Sequence, residues 1–164
     1  HRVDRRQRQM CIRDSDVMLQ SLNITTLGGY AVGGRVNVER AAKDGAEIGG
    51  HPLSGHVDFT SPVLEVASSD TNHRIRFGIP EGFRHYVFAK GYIAINGASL
   101  TVSEVDRQAG WFEVWLIPET RRMTVFESKG VGDLLNVEID RSTQVVWTRC
   151  ARPCSKAWAA CSPC

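Results

Sequence analysis

The 164 residues fit one ordinary domain, or two small ones if an internal repeat can be found. No apolar run approaches the roughly 18 residues of a membrane span, and residues 1–15 hold no apolar stretch that could act as a signal peptide, so the chain reads as soluble and cytoplasmic, with no membrane partner. The net charge of +2 divides unevenly: residues 1–15 and 147–164 carry +3 each, which leaves −4 on the body, 16–146. A basic footprint for nucleic acid therefore belongs to the ends, where no aromatic residues interleave the arginines, and no nucleic-acid partner is expected.

Taken in chain order, the body reads as short strands between turns. Alternation or β-branched enrichment predicts strand at VNVE (36–39), HVDF (56–59), VLEVA (63–67) and HRIRF (73–77). PEGFRHYVFAKG (80–91) differs: Pro80 opens it, Phe83, Tyr86 and Val87 share a helical face, and Lys90 and Gly91 close it as a short capped helix. Strand signals resume at YIAI (92–95), SLTVSEV (99–105), WFEVWLI (111–117) and LLNVEI (134–139). Many short strands with close-set turns predict an all-β barrel or sandwich.

One stretch echoes another. Residues 18–39 align without a gap over 117–138, so that Thr25 falls on Thr124, Val32 and Gly33 on Val131 and Gly132, and Asn37, Val38 and Glu39 on Asn136, Val137 and Glu138. The chain thus holds the ends of two copies of one unit and the beginning of only one.

Three segments could carry chemistry. In IGGHPLSGHV (48–57), His51 and His56 stand five positions apart, a spacing that shares neither a helix face nor a strand face. A metal there needs a third ligand, for which Glu47 and Asp58 lack supporting spacing, so a structural or polar-ligand role is preferred. Gly49, Gly50 and Gly55 permit positive φ and close approach, in a ligand loop or a plain turn alike. In YIAINGASLTV (92–102), Asn96 and Gly97 predict a type I′ hairpin turn, after which Ser99 and Thr101 share one face. Those hydroxyls either face water or line a pocket for a hydroxyl-rich ligand. In LIPET (116–120), Pro118 ends a strand and turns Glu119 and Thr120 outward, where Thr120 can cap the polar segment that follows or meet a ligand.

All five cysteines lie at the ends: Cys11, then Cys150, Cys154, Cys161 and Cys164. Four in one tail allow a thiolate zinc site. A frameshift explains them better, since dropping one base from codons for Val-Val-Asp-Thr-Val-Arg-Ala yields Val-Trp-Thr-Arg-Cys-Ala, the order found at 146–151. No metal is expected.

The three segments and the repeat together resemble the riboflavin synthase family. The resemblance rests on residues 25–57, KGYIAINGASLTVSEV (90–105), LIPET and VGDLLNVEIDRSTQVV (131–146), and spans 16–146. It implies a six-stranded Greek-key barrel with one short helix over residues 45–146, preceded at 16–44 by the remnant of a first such barrel. The leader 1–15 and the tail 147–164 fall outside the family pattern. The implied reaction converts two molecules of 6,7-dimethyl-8-ribityllumazine into riboflavin and 5-amino-6-ribitylaminouracil, without cofactor, in a homotrimer whose active sites join barrels of neighbouring subunits. Carried over by position, the second-barrel pocket comprises Gly55, His56, Val57 and Lys90, then Ser99, Leu100 and Thr101, then Trp115, Leu116, Ile117, Pro118, Glu119 and Thr120, with His51 in or beside it. The surviving first-barrel pocket strand is Asp16, Val17, Met18, Leu19, Gln20 and Ser21, with Gln20 and Ser21 where the family has Glu-Thr. His56 is expected to assist proton transfer, and Ser99 to orient a lumazine. A fragment so cut lacks a complete active site. The competing reading is a non-catalytic lumazine or flavin binder of the same family.

Overall fold

A computed structural model describes residues 16–38, 45, 47–69 and 72–150. The leader and the cysteines beyond Cys150 lie outside the described residues. The core of the structure is a closed antiparallel barrel of six strands: β1 (Phe59–Ser68), β2 (His73–Gly78), β3 (Tyr92–Ile95), β4 (Ala98–Asp106), β5 (Trp111–Leu116) and β6 (Leu134–Ile139). Around the barrel they run β1-β2-β5-β4-β3-β6. Strands β3, β4 and β5 follow one another by hairpin, and β6 returns to lie beside β3, the Greek-key order.

Alternation sets the faces. Phe112, Val114 and Leu116 of β5 point inward with Ile75 and Phe77 of β2, Val102 of β4, and Leu135 and Val137 of β6, all nearly inaccessible. Phe77 and Phe112 pair across β2 and β5 with ring centroids 5.3 Å apart. The outer face of the same strands is charged: Glu113 accepts from Arg74 at 2.7 Å and from Arg76 at 2.8 Å, both arginines also pair with Glu65, and Arg76 lies 4.2 Å from the Trp111 ring centre. This cluster buries Glu113 without leaving its charge unpaired.

Phe59, the last residue of the segment expected at 56–59, and the whole segment expected at 63–67 belong to one strand. Residues 59–62 of β1 pair with β6, and Val63 onward pairs with β2. Pro62, which has no N–H to donate, sits where the strand changes partner, so the barrel turns its corner there without wasting a ladder bond. The hairpin after β3 has Asn96 at φ 46° and Gly97 at φ 77°, the two positive angles of a type I′ turn.

Four expectations need correction. Residues 80–91 do not form an α-helix; Glu81–Tyr86 is a 3-10 helix behind Pro80, and the chain then extends into β3. The segment at 56–58 is not strand; β1 begins at Phe59. Residues 36–38 do not form a strand, because among the described residues none flanks them as β1 and β3 flank the matching β6. Residues 16–18 do not form a strand, and Leu19, Gln20 and Ser21 open helix α1 (Leu19–Ile24) behind an extended Met18.

The repeat is physical. Thr25 and Thr124 stand 99 positions apart, and at that offset α1 matches helix α2 (Pro118–Met123). The Thr25 hydroxyl donates to Ser21 O at 2.5 Å, and the Thr124 hydroxyl to Thr120 O at 2.6 Å. Tyr30 N donates to Leu27 O as Lys129 N does to Phe126 O, and Gly33 and Gly132 share φ near 90°, at 89° and 93°. Helix α3 (Arg141–Cys150) runs on unbroken through Trp147, whose ring lies 4.8 Å from that of His85, so the departure from the family pattern at that residue is no break in secondary structure. Asp140 precedes this helix. Burial raises its carboxyl pKa, but bonds from Ser142 and Thr143 outweigh burial and hold it below the ordinary value.

The two faces of β5 are testable by urea unfolding. Phe112→Ala should cost about 3–5 kcal/mol, whereas Trp115→Ala, on the exposed face, should cost under about 1 kcal/mol. The reverse order would contradict the inward register of this strand.

Candidate functional site

Residues 48–55 lie across the outside of the barrel and are fixed at two points. At the first, Ser99 of β4 accepts from the His51 backbone N–H at 3.1 Å, and its hydroxyl lies 2.6 Å from His51 Nδ1. At the second, the Glu138 carboxylate of β6 accepts from Ser54 N at 2.6 Å, the Ser54 hydroxyl at 2.7 Å and Gly55 N at 3.0 Å. Ala94 of β3 pairs with both Ser99 and Glu138, and is 1% exposed although it points away from the core. Its burial, and its small size, follow from the loop passing above it.

Glycine is required at one of these points. Gly50 has φ 105°, and a Cβ there would stand 2.7 Å from Ser99 Cβ, so a side chain would push the loop off β4. His51 is buried, its ring stacks on Tyr92 of β3 at 5.3 Å, and its Nε2 has no protein partner. Ser99 Oγ, with one proton and two lone pairs, can accept from the His51 backbone and still either donate to Nδ1 or accept from it, according to the ring's tautomer.

A cleft of about 790 Å³ opens between this loop, the turn at 97–99 and α2, with Asn37 and Val38 of the first repeat completing it. That size suits a small-molecule ligand. Of the residues expected at the site, His51, Gly55, Ser99, Glu119 and Thr120 line it together. His56 does not: it is exposed, its Nδ1 lies 3.2 Å from Ser54 Oγ, and its carbonyl accepts from Arg141. Leu100 and Leu116 point into the core, while Thr101, Trp115 and Ile117 are exposed outside the lining. Val57 is half-buried beyond the loop, and Lys90 takes φ 68° at a turn where its N–H bonds Val102 O. Pro118 is the first residue of α2, whose cap is Ile117, so Thr120 lies inside that helix rather than capping it. Asp16, Val17, Met18, Leu19, Gln20 and Ser21 do not reach this cleft.

The cleft also contains residues that sequence reasoning passed over, chiefly Asn37, Thr124 and Glu138. Asn37 and Glu138 stood in the aligned repeat, where their pairing was read only as a mark of ancestry. A second hollow, of about 660 Å³, lies along α3 between Arg141 and Arg149 and holds none of the expected residues.

Formal charge at the cleft is already engaged. Glu138 is taken by the loop, and Glu119 accepts two bonds from Arg122, at 2.7 and 3.1 Å, which hold its carboxyl below the ordinary range. The rest of the polar lining includes the hydroxyls of Ser99, Thr120 and Thr124, the loop backbone and the His51 ring. Among the described residues, no group of three or more His, Cys, Asp and Glu is placed to hold a metal, and no helix is long and apolar enough to cross a membrane. The arrangement fits a neutral ligand rich in hydroxyl groups.

The lumazine binding domain family matches residues 54–140. Riboflavin synthase of Escherichia coli (strain K12) is 46% identical over 132 residues, which is 80% of this chain and 61% of that protein. Riboflavin synthase of Mycobacterium tuberculosis (strain H37Rv) is 43% identical over 127 residues, 77% of this chain and 63% of that protein. The chain therefore spans somewhat over three fifths of the curated relatives it matches. Among solved structures, LumP complexed with riboflavin is similar at a TM-score of 0.68 and 22% identity, covering 74% of this chain and 65% of that one, which supports the fold.

Glu138→Gln keeps the side-chain volume but sets one carbonyl oxygen and an NH2 group against three donors. Urea unfolding should show a loss of about 1–3 kcal/mol, with faster amide exchange at Ser54 and Gly55. Unchanged exchange at those two amides would contradict the anchoring role.

Proposed function

Because the chain belongs to the lumazine binding domain family, we propose that its cleft binds 6,7-dimethyl-8-ribityllumazine, as one half of a riboflavin synthase site. The observation that carries this reading is the union of His51, Ser99, Glu119 and Thr120 in one cleft whose two carboxylates, Glu119 and Glu138, are already engaged by protein donors. A ribityl chain presents neutral hydroxyls, and Ser99, Thr120 and the loop backbone match it in kind.

The reaction joins two lumazines, giving riboflavin and 5-amino-6-ribitylaminouracil, and begins when a proton leaves the acidic 7-methyl group of one of them. Histidine titrates near neutrality and is suited to moving that proton. His51 lines the cleft and His56 does not, which favours His51 for this role, with Nε2, which has no protein partner, as the nitrogen that takes the proton. Ser99 orients the ligand. Holding two substrates face to face would supply about 7–11 kcal/mol of the acceleration. The second lumazine needs a second pocket, which the intact family draws from a neighbouring subunit of a homotrimer in the cytoplasm. On this reading residues 45–146 are the second lumazine-binding barrel, and residues 16–44 belong to the first.

Fluorescence titration of the chain with lumazine and riboflavin tests the reading. Saturable binding should weaken about tenfold, ~1.4 kcal/mol, in His51→Ala and in Ser99→Ala, and much less in His56→Ala. Riboflavin appearing at 6,7-dimethyl-8-ribityllumazine saturation supports a synthase. Binding without conversion is what half of a synthase site gives and equally suits a non-catalytic lumazine or flavin binder, while absence of binding contradicts both.

A further inference from the structure

Three asparagines, one from the first repeat and two from the barrel, are joined behind the cleft. Asn37 Nδ2 donates to Asn96 O at 2.9 Å, and Asn37 Oδ1 accepts from Val125 N at 2.9 Å. Asn96 N donates to Asn136 O at 2.8 Å, and Asn96 Oδ1 accepts from Asn136 N at 2.8 Å. Asn136 Oδ1 in turn accepts from Thr26 N at 2.8 Å, and its Nδ2 donates to the Thr26 hydroxyl at 3.0 Å.

Two of these bonds are one bond made twice. At the 99-residue offset Asn37 corresponds to Asn136 and Thr26 to Val125, so each asparagine side chain accepts from the same backbone position of the opposite copy. The reciprocity shows that the two repeats face each other through this contact. It also places Asn37 at a junction. Asn96 opens the turn that leads to Ser99, Val125 follows Thr124 at the end of α2, and Asn37 is itself continuous with Val38 on the remaining wall.

We infer that Asn37 is a positioning residue of the cleft: through its two amide bonds it sets the spacing between the Ser99 wall and the α2 wall that carries Thr120. The inference rests on the lumazine reading for its ligand, but not for its geometry. Only an amide at this position supplies what the junction needs. The Asn96 carbonyl requires a donor and the Val125 N–H requires an acceptor. An aspartate would offer acceptors alone, setting a carboxylate against a carbonyl, and an alanine neither. The first repeat therefore contributes a wall to the ligand site of the barrel that follows it, and the site is shaped by a residue that need not touch the reacting atoms.

The test compares the full chain with its Asn37→Ala, Asn37→Asp and Val36→Ala variants, reading lumazine affinity by fluorescence, thermal midpoint, and amide exchange at Val125. Asn37→Ala and Asn37→Asp should each weaken binding by the folded chain about tenfold, on the loss of one or two hydrogen bonds, and speed exchange at Val125. Val36→Ala, exposed in the same segment and outside the cleft, should leave both unchanged. Equal affinity in the parent and both Asn37 variants, or a lowered midpoint with affinity and exchange unaltered, would overturn the positioning role. If the parent chain itself does not bind lumazine, the functional reading fails, and exchange at Val125 decides this inference alone: faster in Asn37→Ala upholds it, unchanged refutes it.

Discussion

The Glu138 carboxylate, on the outer face of β6, is the constraint from which the candidate site follows. A buried carboxylate is costly unless its lone pairs are satisfied, and here Ser54 and Gly55 satisfy them with two backbone N–H groups and a hydroxyl. That requirement fixes one end of the crossing loop. The other end is fixed by Ser99, which holds both the backbone and the ring of His51. With both ends set, the loop lies over Ala94 and forms one wall of a cleft whose remaining walls are a hairpin turn and a short helix. Neither anchor carries free charge into the cleft.

The repeat explains why those walls come together. Two short helices, two hydroxyl bonds and two glycines recur at one offset, and the copies meet through reciprocal asparagine bonds. The copies differ in what surrounds them. Val137 of β6 is sealed between β1 and β3, whereas its counterpart Val38 is 77% exposed, and so is much of the apolar surface at Met18 and Leu19. The same local sequence thus builds a strand where neighbouring strands accept its hydrogen bonds, and none where the described residues offer no such neighbour.

Most of the barrel was legible because its signals are local. Alternation around Asn96 and Gly97 marks a hairpin by backbone angle alone, and the run at 134–139 alternates one face to the core and one outward. The misreadings share a cause: a decision made by tertiary contact. The pattern put separate strands at 56–59 and 63–67, yet Pro62 between them sits within one strand because pairing changes hands there. Residues 80–91 have helical spacing, but only one 3-10 segment forms before the chain must extend to join β3. Within the site, two histidines five apart in a glycine-rich loop cannot be told apart by pattern. Which of them meets Ser99, 48 positions after His51, depends on where Glu138 pins the loop. Asn37 was visible as a repeat position, but its bonds to Asn96 and Val125 span 59 and 88 positions.

The central claim is that this one cleft, framed by the loop, the hairpin turn and α2, receives a lumazine. Backbone chemical-shift mapping during titration with 6,7-dimethyl-8-ribityllumazine tests it most directly. The account predicts saturable shifts at Gly49 to Gly55, Gly97 to Ser99 and Glu119 to Thr124, with Arg74, Arg76 and Glu113 on the charged face unmoved. Shifts centred on that charged face or along α3, with the cleft silent, would contradict it.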